Sequence, residues 1–346
     1  MYIRATASIS PQQSFEQLSA QPAAIQGNRM NCAEPDYTTY VDPKMIRRMS
    51  RIIKMGVAAA SQCLRECNVT MPDAIITGTA YGCLADTEVF LSRMIEHDET
   101  LLTPTAFIQS THNTVGAQIA LLLKCHNYNN TFVHRGFSFE SALLDTITLL
   151  NEQQLGTALV GGVDEITNTS HTLLSRFNLY KKTPVTPESL FEQNEKGTIA
   201  GEGAAFFLLS PQASGNDYAQ LKGLYTFYKP SSGAEIENHI QSFLKEQQVN
   251  VGDVDLVITG ENGDSKNDAV YKNVFASIFS EKPSLRFKHL CGEYPTAAAF
   301  ALWYTANILK TGKVPANSGL SSNPRYILLY NHHNNIHHSL YLLCSC

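Results

Sequence analysis

The sequence predicts an α/β fold, and two observations carry that prediction. Short apolar runs alternate with longer amphipathic ones throughout the 346 residues, which is typical of α/β construction. The same alternation occurs twice, on either side of a turn-rich stretch. Hydrophobic residues make up 43% of the chain and charged residues 16%, a globular composition that can bury a large core.

The first predicted helix of this half spans 44–67. Apolar residues recur there every three or four positions, and Asp42-Pro43 is a typical start signal. Further elements are predicted in this order: a buried strand at 74–79, a helix at 114–124, a strand at 131–134, a turn at 135–138, a helix to about Gln154, and a strand at 157–160 ending at Gly161-Gly162.

The second half repeats the pattern. Its predicted elements are a strand at 203–209, a helix at 234–248, a strand at 254–259, a helix at 297–311 stopped by Gly312, and final strands at 326–330 and 339–343. The turn-forming run 211–217 is the best boundary between the halves. We therefore expect an N-terminal half at 1–210 and a C-terminal half at 220–346.

Charge and cysteine content exclude several classes of protein. A net charge of -5 gives no reason to expect nucleic acid or a membrane surface as partner. The first residues lack the layout of a signal peptide, and no apolar run approaches membrane-spanning length. The eight cysteines are scattered through core-like sequence, which favours buried thiols in a reducing cytoplasm over disulfides or a metal site.

Four motifs together resemble the β-ketoacyl synthases of the elongating type, a family of the thiolase superfamily. They are RMSR at 48–51, GTAYG at 78–82, PTAFIQSTHN at 104–113 and GEGAA at 201–205. Each motif is short, but their order and spacing match the family over nearly the whole chain. The resemblance implies a thiolase-like fold with duplicated halves in a five-layer αβαβα core, and a dimer formed through the strand near 131–134.

The resemblance also implies where the catalytic residues should lie. The family uses a cysteine at a helix N-terminus, where amides stabilise the thiolate and hold the oxyanion, and two histidines that stabilise the carbanion. The cysteine's place falls at Gly136, or at Phe137 if the register slips by one. Asn262 and Glu293 occupy the places of the two histidines, so all three catalytic groups are predicted to be replaced.

Alternative sites remain open at this stage. Ser138 in the run GFSFE faintly resembles a nucleophile elbow, with His134 or His112 as its base, although a capping serine is the simpler interpretation. Phe137 and Phe139 are predicted to close the former pocket. The histidines at 332–338, which replace a glycine-rich family segment, favour a polar turn over a metal site. Glu293 has either a specific role or a purely structural one, and Arg135 could pair with Glu140.

Loss of the catalytic groups with retention of the fold is the pattern of chain length factors, which are inactive synthase-like subunits. The resemblance therefore implies a non-catalytic, cytoplasmic subunit that pairs with an active β-ketoacyl synthase and works on acyl chains held by acyl carrier protein. No cofactor or metal is expected. The alternatives are a divergent acyltransferase using Ser138, and a free-standing homodimer that binds acyl chains or carrier protein.

Overall fold

A computed structural model describes residues 1–20, 22–23, 27–152, 155–186, 189–192, 194–315, 318, 320 and 322–346. Its strands are β1 (Tyr2–Ile9), β2 (Arg29–Met30), β3 (Ala74–Gly78), β4 (Tyr128–Phe132), β5 (Ala158–Asp164), β6 (Ala200–Gly201), β7 (Gly203–Ser210), β8 (Ala219–Tyr228), β9 (Leu256–Thr259), β10 (Ser284–Arg286), β11 (Tyr326–His333) and β12 (His337–Cys344).

Twelve α-helices accompany these strands in the described residues. They are α1 (Phe15–Ala20), α2 (Pro43–Ile46), α3 (Arg51–Glu66), α4 (Leu84–Glu96), α5 (Pro104–Gln109), α6 (Thr114–Leu123), α7 (Ser138–Asn151), α8 (Asn168–Arg176), α9 (Gly233–Glu246), α10 (Ser265–Ile278), α11 (Lys288–Cys291) and α12 (Ala297–Thr311). None of them is both long and apolar enough to span a membrane.

Ten strands form one sheet in the order β10-β9-β11-β12-β8-β1-β7-β5-β3-β4. The first half contributes β1, β3, β4, β5 and β7, and the second half contributes β8 to β12. When the five strands of each half are counted along the chain, both halves have the same spatial order: third, second, fourth, fifth, first. The fifth strand of each half, β7 or β12, runs antiparallel to both of its neighbours. The halves meet where β1 pairs with β8 at Tyr2 and Ile3. This repeated order supports the predicted division at 210 and 220, which stays a prediction.

Three apolar clusters define five layers. One outer cluster joins α3 and α6 to the first half of the sheet, and the other outer cluster joins α9 and α10 to the second half. Between them, α7 and α12 pack against strands of both halves. The run 297–308 of α12 is buried on all sides, as expected for a helix that is apolar all round. The duplicated, five-layer α/β core predicted from the sequence is thus confirmed.

Several element boundaries differ from the predictions. The helix predicted at 44–67 is broken into α2 and α3 at Ser50, whose extended backbone interrupts the helix. The strand predicted at 131–134 lies at 128–132, where it pairs in register with β3. β5 continues through Gly161-Gly162 to Asp164 because these glycines allow Phe206 and α12 to pack closely. The predicted helix end near Gln154 lies outside the described residues.

Candidate functional site

The turn between β4 and α7 occupies the position expected for a nucleophile. Residues 135–137 form a single 3₁₀ turn, and α7 begins at Ser138. Arg135 has a left-handed backbone with φ of 50° and an exposed side chain. The turn therefore has the sharp, strained geometry of an elbow. Residues 134–138 include no cysteine, so moving the alignment with the family by one residue still places no thiol in this turn.

Gly136 lies directly against His333 of β11. A Cβ atom added to Gly136 would lie 2.7 Å from the Cβ atom of His333, closer than real side chains approach each other. The turn therefore has room for glycine and for nothing larger unless β11 moves. The sequence placed Gly136 at this site, and the structure supplies a steric reason for the absence of a side chain there.

Asn262 follows β9 in a loop whose main chain is held by the side chains of Asp268 and Thr198. The Asp268 carboxylate accepts hydrogen bonds from the backbone amides of Asn262 (2.8 Å) and Gly263 (2.9 Å). The Asn262 carbonyl accepts from the Thr198 hydroxyl at 2.6 Å. With the loop fixed, the Asn262 side-chain amide donates to Glu293 Oε2 at 2.6 Å. Two of the three predicted positions are therefore in direct contact.

Glu293 is held in place by a close crossing of two backbones. Its amide donates to Ile199 O at 2.8 Å, and its carbonyl accepts from the Gly201 amide at 3.0 Å. A Cβ atom on Gly201 would lie 2.1 Å from the Cys291 carbonyl oxygen, so only glycine permits this approach. The GEGAA motif and the segment at 288–298 are thus physically linked.

The Glu293 carboxylate is buried and fully paired. Lys288 Nζ donates to Oε2 at 2.5 Å, and His333 Nδ1 lies 3.2 Å from Oε1. Burial alone would raise the pKa of Glu293, but the Lys288 ammonium and the His333 hydrogen bond lower it to about 2. Lys288 also donates to the His332 carbonyl at 3.1 Å. The result is a closed ion pair whose carboxylate stays ionised at neutral pH.

His333 is the site residue that the sequence argument did not single out. It contacts Glu293, borders Gly136 and lines the cavity described below. Because Glu293 can only accept, His333 must donate its Nδ1 proton to the carboxylate. The histidine run at 332–338 was a partial signal, because it drew attention to this segment without showing which of its histidines faces Glu293.

The other histidines of this segment serve the hairpin of β11 and β12. Asn334 and Asn335 both have left-handed backbones, and Ile336 N donates to His333 O at 3.1 Å, which makes a type I′ turn. The predicted polar turn is therefore present. Among the described residues, no group of three or more His, Cys, Asp or Glu side chains is arranged to hold a metal ion.

His332 and His338 point away from the site. His332 stacks on Tyr271 at 4.5 Å, and burial holds its pKa well below the usual value, so it is neutral. His338 Nδ1 lies 3.0 Å from the Tyr330 hydroxyl, and burial lowers its pKa to about 4. These two imidazoles therefore belong to the core rather than to a catalytic pair.

The aromatic residues of the turn pack inward. Phe137 makes edge contacts with His337 (4.8 Å between ring centroids) and His134 (5.6 Å). Phe139 is fully buried and lies 5.9 Å from the Phe207 ring. These contacts support the prediction that both phenylalanines are packing residues that fill the former pocket.

Ser138 is buried and engaged by main-chain groups. Its hydroxyl donates to Arg135 O at 2.8 Å and accepts from His134 N at 2.8 Å. The His134 ring lies beside Ser141 Oγ (3.2 Å) instead. In the described part of the chain, the Ser138 hydroxyl bonds to main-chain groups and not to a histidine, which favours a local structural role for the serine.

Glu140, in the first turn of α7, lies in a second buried polar cluster. The Ser339 and Tyr341 hydroxyls face its carboxyl, yet none of these three groups makes a hydrogen bond of good geometry. The predicted partner Arg135 is exposed and forms no ion pair with Glu140. Burial raises the pKa of Glu140 to about 7.

A cavity of about 180 Å³ opens beside the ion pair. Glu293, His333 and Asn334 contribute to its wall, while its apolar lining comes mainly from Leu84, Ile166, Leu173, Leu174, Leu179, Tyr294 and Pro295. No cysteine lines this cavity. Cys291, two residues before Glu293, donates its thiol to the Gly292 carbonyl, and burial raises its pKa well above the usual value. A reactive cysteine needs the opposite shift.

Comparison with known proteins places this geometry in a family. Residues 8–214 match the model of the β-ketoacyl synthase N-terminal domain. Comparison with curated protein sequences finds no match. The fold is similar to that of the ishigamide ketosynthase/chain length factor, with a TM-score of 0.81 at 16% identity, covering 100% of this chain and 98% of that one.

Two further solved structures share the fold. One is the ketosynthase ApeO in complex with its chain length factor ApeC from Xenorhabdus doucetiae (TM-score 0.78, 16% identity, 100% of this chain and 98% of that one). The other is a β-ketoacyl synthase from Burkholderia phymatum STM815 (TM-score 0.80, 13% identity, 100% and 99%). At these identities the likeness establishes the fold alone. The family match spans more than half of the sequence, and the chain therefore belongs to the β-ketoacyl synthase family.

Proposed function

We propose that this chain is a non-catalytic β-ketoacyl synthase subunit of the chain length factor type. It pairs with an active synthase and works on acyl chains bound to carrier protein. The observation that carries the proposal is the closed network of Asn262, Lys288, Glu293 and His333, packed against a turn that has no thiol.

This network opposes the chemistry of condensation. Decarboxylation of a malonyl group develops negative charge, and an unpaired carboxylate about 4 Å away would cost roughly 4 kcal/mol at an effective dielectric near 20, on the order of a thousandfold in rate. The Lys288 ammonium, 2.5 Å from Glu293, offsets part of this cost, but it does not replace a second imidazole that could stabilise the developing charge. His333 is the one imidazole that contacts Glu293 in the described residues, and it uses Nδ1 for that contact. The site therefore favours a supporting role over turnover.

An exposed apolar surface supports a protein partner. It lies around β4 and the helices beside it and comprises Leu121 (63% exposed), Tyr128 (41%), Val133 (49%) and Leu144 (38%). Clustered apolar residues on a surface mark interaction sites. In the proposed heterodimer, this surface contacts the synthase subunit and helps to enclose the acyl chain.

Exposed cations give a carrier protein a place to dock. Lys44, Arg47 and Arg48 are all exposed on and just after α2. A cluster of one charge sign attracts a partner of opposite charge and orients it. We propose that this surface attracts an acidic carrier protein. The protein would act in the cytoplasm, where its eight free cysteines stay reduced.

A narrower assignment rests on two stretches, HRGFSFESALLD at 134–145 and CGEYPTAAAFALW at 291–303. These stretches resemble subunits linked to aryl-polyene or flexirubin-type pigment pathways. We propose this class of pathway for the chain. Condensation assays of a reconstituted heterodimer with polyenoyl and saturated acyl groups on carrier protein would test the assignment, because extension of the polyenoyl chain is expected and extension of the saturated chain alone would contradict it.

Co-expression with a β-ketoacyl synthase from a neighbouring gene of the same genome tests the proposed function. We expect a one-to-one heterodimer in which condensation requires both subunits. A monodisperse homodimer that leaves the synthase unbound would favour a free-standing binding protein instead.

Intact-mass measurement after incubation with acyl carrier-protein thioesters tests the acyltransferase alternative. We expect no acyl adduct. A stable adduct that disappears in Ser138→Ala would defeat the proposal, whereas an adduct that persists in that variant would locate another nucleophile.

A further inference from the structure

β4 forms one edge of the ten-stranded sheet, and in the described residues it pairs only with β3. Thr79 N donates to Phe132 O, so the Phe132 backbone faces β3. Because backbone groups alternate in direction along a strand, the amides of Asn129 and Thr131 point away from β3. An edge of this kind is a template for pairing with another chain.

Asn130 blocks part of this edge with its own side chain. Its Oδ1 atom accepts a hydrogen bond from the outward-pointing Thr131 amide at 2.8 Å. Its Nδ2 atom donates to the Tyr128 hydroxyl at 3.2 Å, and that hydroxyl donates to Asp145 of α7 at 3.1 Å. The Asn130 amide is thus held at both ends, with its oxygen occupying a donor that a paired strand would use.

We propose that Asn130 is a specificity residue that disfavours pairing of β4 with a second copy of this chain and leaves the edge to a different synthase-fold subunit. A two-fold pair of identical edges must displace the Asn130 oxygen twice, once in each copy. A heterodimer displaces it once. Because each displaced hydrogen bond weakens association, the block acts more strongly on the homodimer. This inference rests on the proposed function, which supplies the heterodimeric partner.

Sedimentation velocity of the chain alone, over a range of concentrations, tests the inference through two variants of one residue. Asn130→Val removes the blocking oxygen and places a strand-forming side chain at the edge. We expect its self-association to be at least about tenfold tighter than that of the unaltered chain. Asn130→Asp keeps an oxygen that can accept from Thr131, and we expect it to self-associate no more tightly than the unaltered chain.

Gln241→Leu serves as the control for added apolar surface, because Gln241 is exposed on α9 in the other half of the molecule. It should leave self-association unchanged. The inference is overturned if Asn130→Val self-associates like the unaltered chain, or if Asn130→Asp or Gln241→Leu tightens self-association as much as Asn130→Val. These outcomes are independent of binding to the synthase, so failure of the co-expression experiment would be recognised separately.

Discussion

Two buried glutamates lie near His333, and their surroundings differ in almost every respect. Glu293 accepts hydrogen bonds from an amide, an ammonium and an imidazole. Glu140 faces the hydroxyls of Ser339 and Tyr341, and its carboxyl makes no hydrogen bond of good geometry in the described residues. As a result, the pKa of Glu293 is lowered to about 2 while that of Glu140 is raised to about 7. Burial is common to both, so the partners decide the direction.

Glu293 therefore forms a locked site, in which both carboxylate oxygens are paired, and Glu140 forms an open site, in which buried polar atoms of the described chain lack partners. At Glu293 the buried carboxylate is closed in an ion pair that a ligand cannot easily enter. At Glu140 several polar atoms lack partners inside the protein, and leaving such groups dry would cost stability. Polar groups of this kind commonly hold an ordered water. The polar groups around Glu140 are therefore unpaired within the described residues, while the network around Glu293 joins separate segments of the chain.

The two carboxyls also have opposite effects on stability as pH changes. The pKa of Glu293 is lower in the folded chain than the ordinary 4.5, so its contribution is present above pH 4.5 and is lost as pH falls toward about 2. The pKa of Glu140 is higher than 4.5 in the folded chain, so folding becomes less favourable as pH rises from 4.5 to about 7.

The largest predicted effect is on the locked site. Lys288→Met leaves Glu293 buried without its ammonium partner, and we expect the free energy of unfolding to fall by about 3–5 kcal/mol. Urea denaturation at neutral pH measures this. Lys272→Met, at an exposed position on α10, is the matched control and should change stability by less than about 0.5 kcal/mol.

A double variant sharpens this prediction. Lys288→Met combined with Glu293→Leu removes both charges, so part of the stability lost in the single variant should return. If the single and double variants are equally destabilised, the loss comes from packing and the ion pair is not the reason.

The next effect concerns the open site. Glu140→Gln removes the ionisable group, and we expect the variant to lose the decline in stability between pH 4.5 and 7. A pKa raised from 4.5 to about 7 corresponds to about 3 kcal/mol at pH 8. Thermal or urea denaturation at pH 5 and pH 8 compares the two proteins. Glu246→Gln, at an exposed position, should follow the unaltered chain, and a Glu140→Gln curve that does the same would contradict the account.

The smallest effect tests the turn that borders both regions. Gly136→Ala forces a methyl group against His333, and we expect a loss of about 1–3 kcal/mol in the free energy of unfolding. Gly233→Ala is the control, because a Cβ atom there would meet nothing within 4 Å. If both variants are equally stable, His333 moves aside freely and the turn is less constrained than the structure indicates.

Much of the fold was predictable because hydrophobic periodicity and short motifs are local signals. The amphipathic pattern identified α3, the long apolar run stopped by Gly312 identified α12, and the motif GEGAA lies at the start of β7. Boundaries set by pairing were less predictable. The position of β4 depends on its register with β3, and β1 and β8, which join the halves, carry no motif that singled them out.

The site was predictable position by position but not as a network. Gly136, Asn262 and Glu293 were named from the resemblance, and the contact between Asn262 and Glu293 fits that assignment. The role of His333 could not be read from the histidine run at 332–338, because alternate residues of a strand face opposite sides. Only the register of β11 directs His333 toward the site and His332 toward Tyr271. Likewise, the sequence suggested a pairing of Arg135 with Glu140, but in the structure Glu140 is buried and Arg135 is exposed.

Release of carbon dioxide from malonyl carrier protein tests the central claim most directly. When the chain alone is incubated with an excess of labelled malonyl carrier protein, carbon dioxide release should not exceed that in buffer, because the ion-paired Glu293 site offers one imidazole, rather than two, to the developing negative charge in the described residues. Release above that background, in a sample free of other synthases and abolished by His333→Phe, would show that the site around Glu293 still performs decarboxylation and would contradict the proposal.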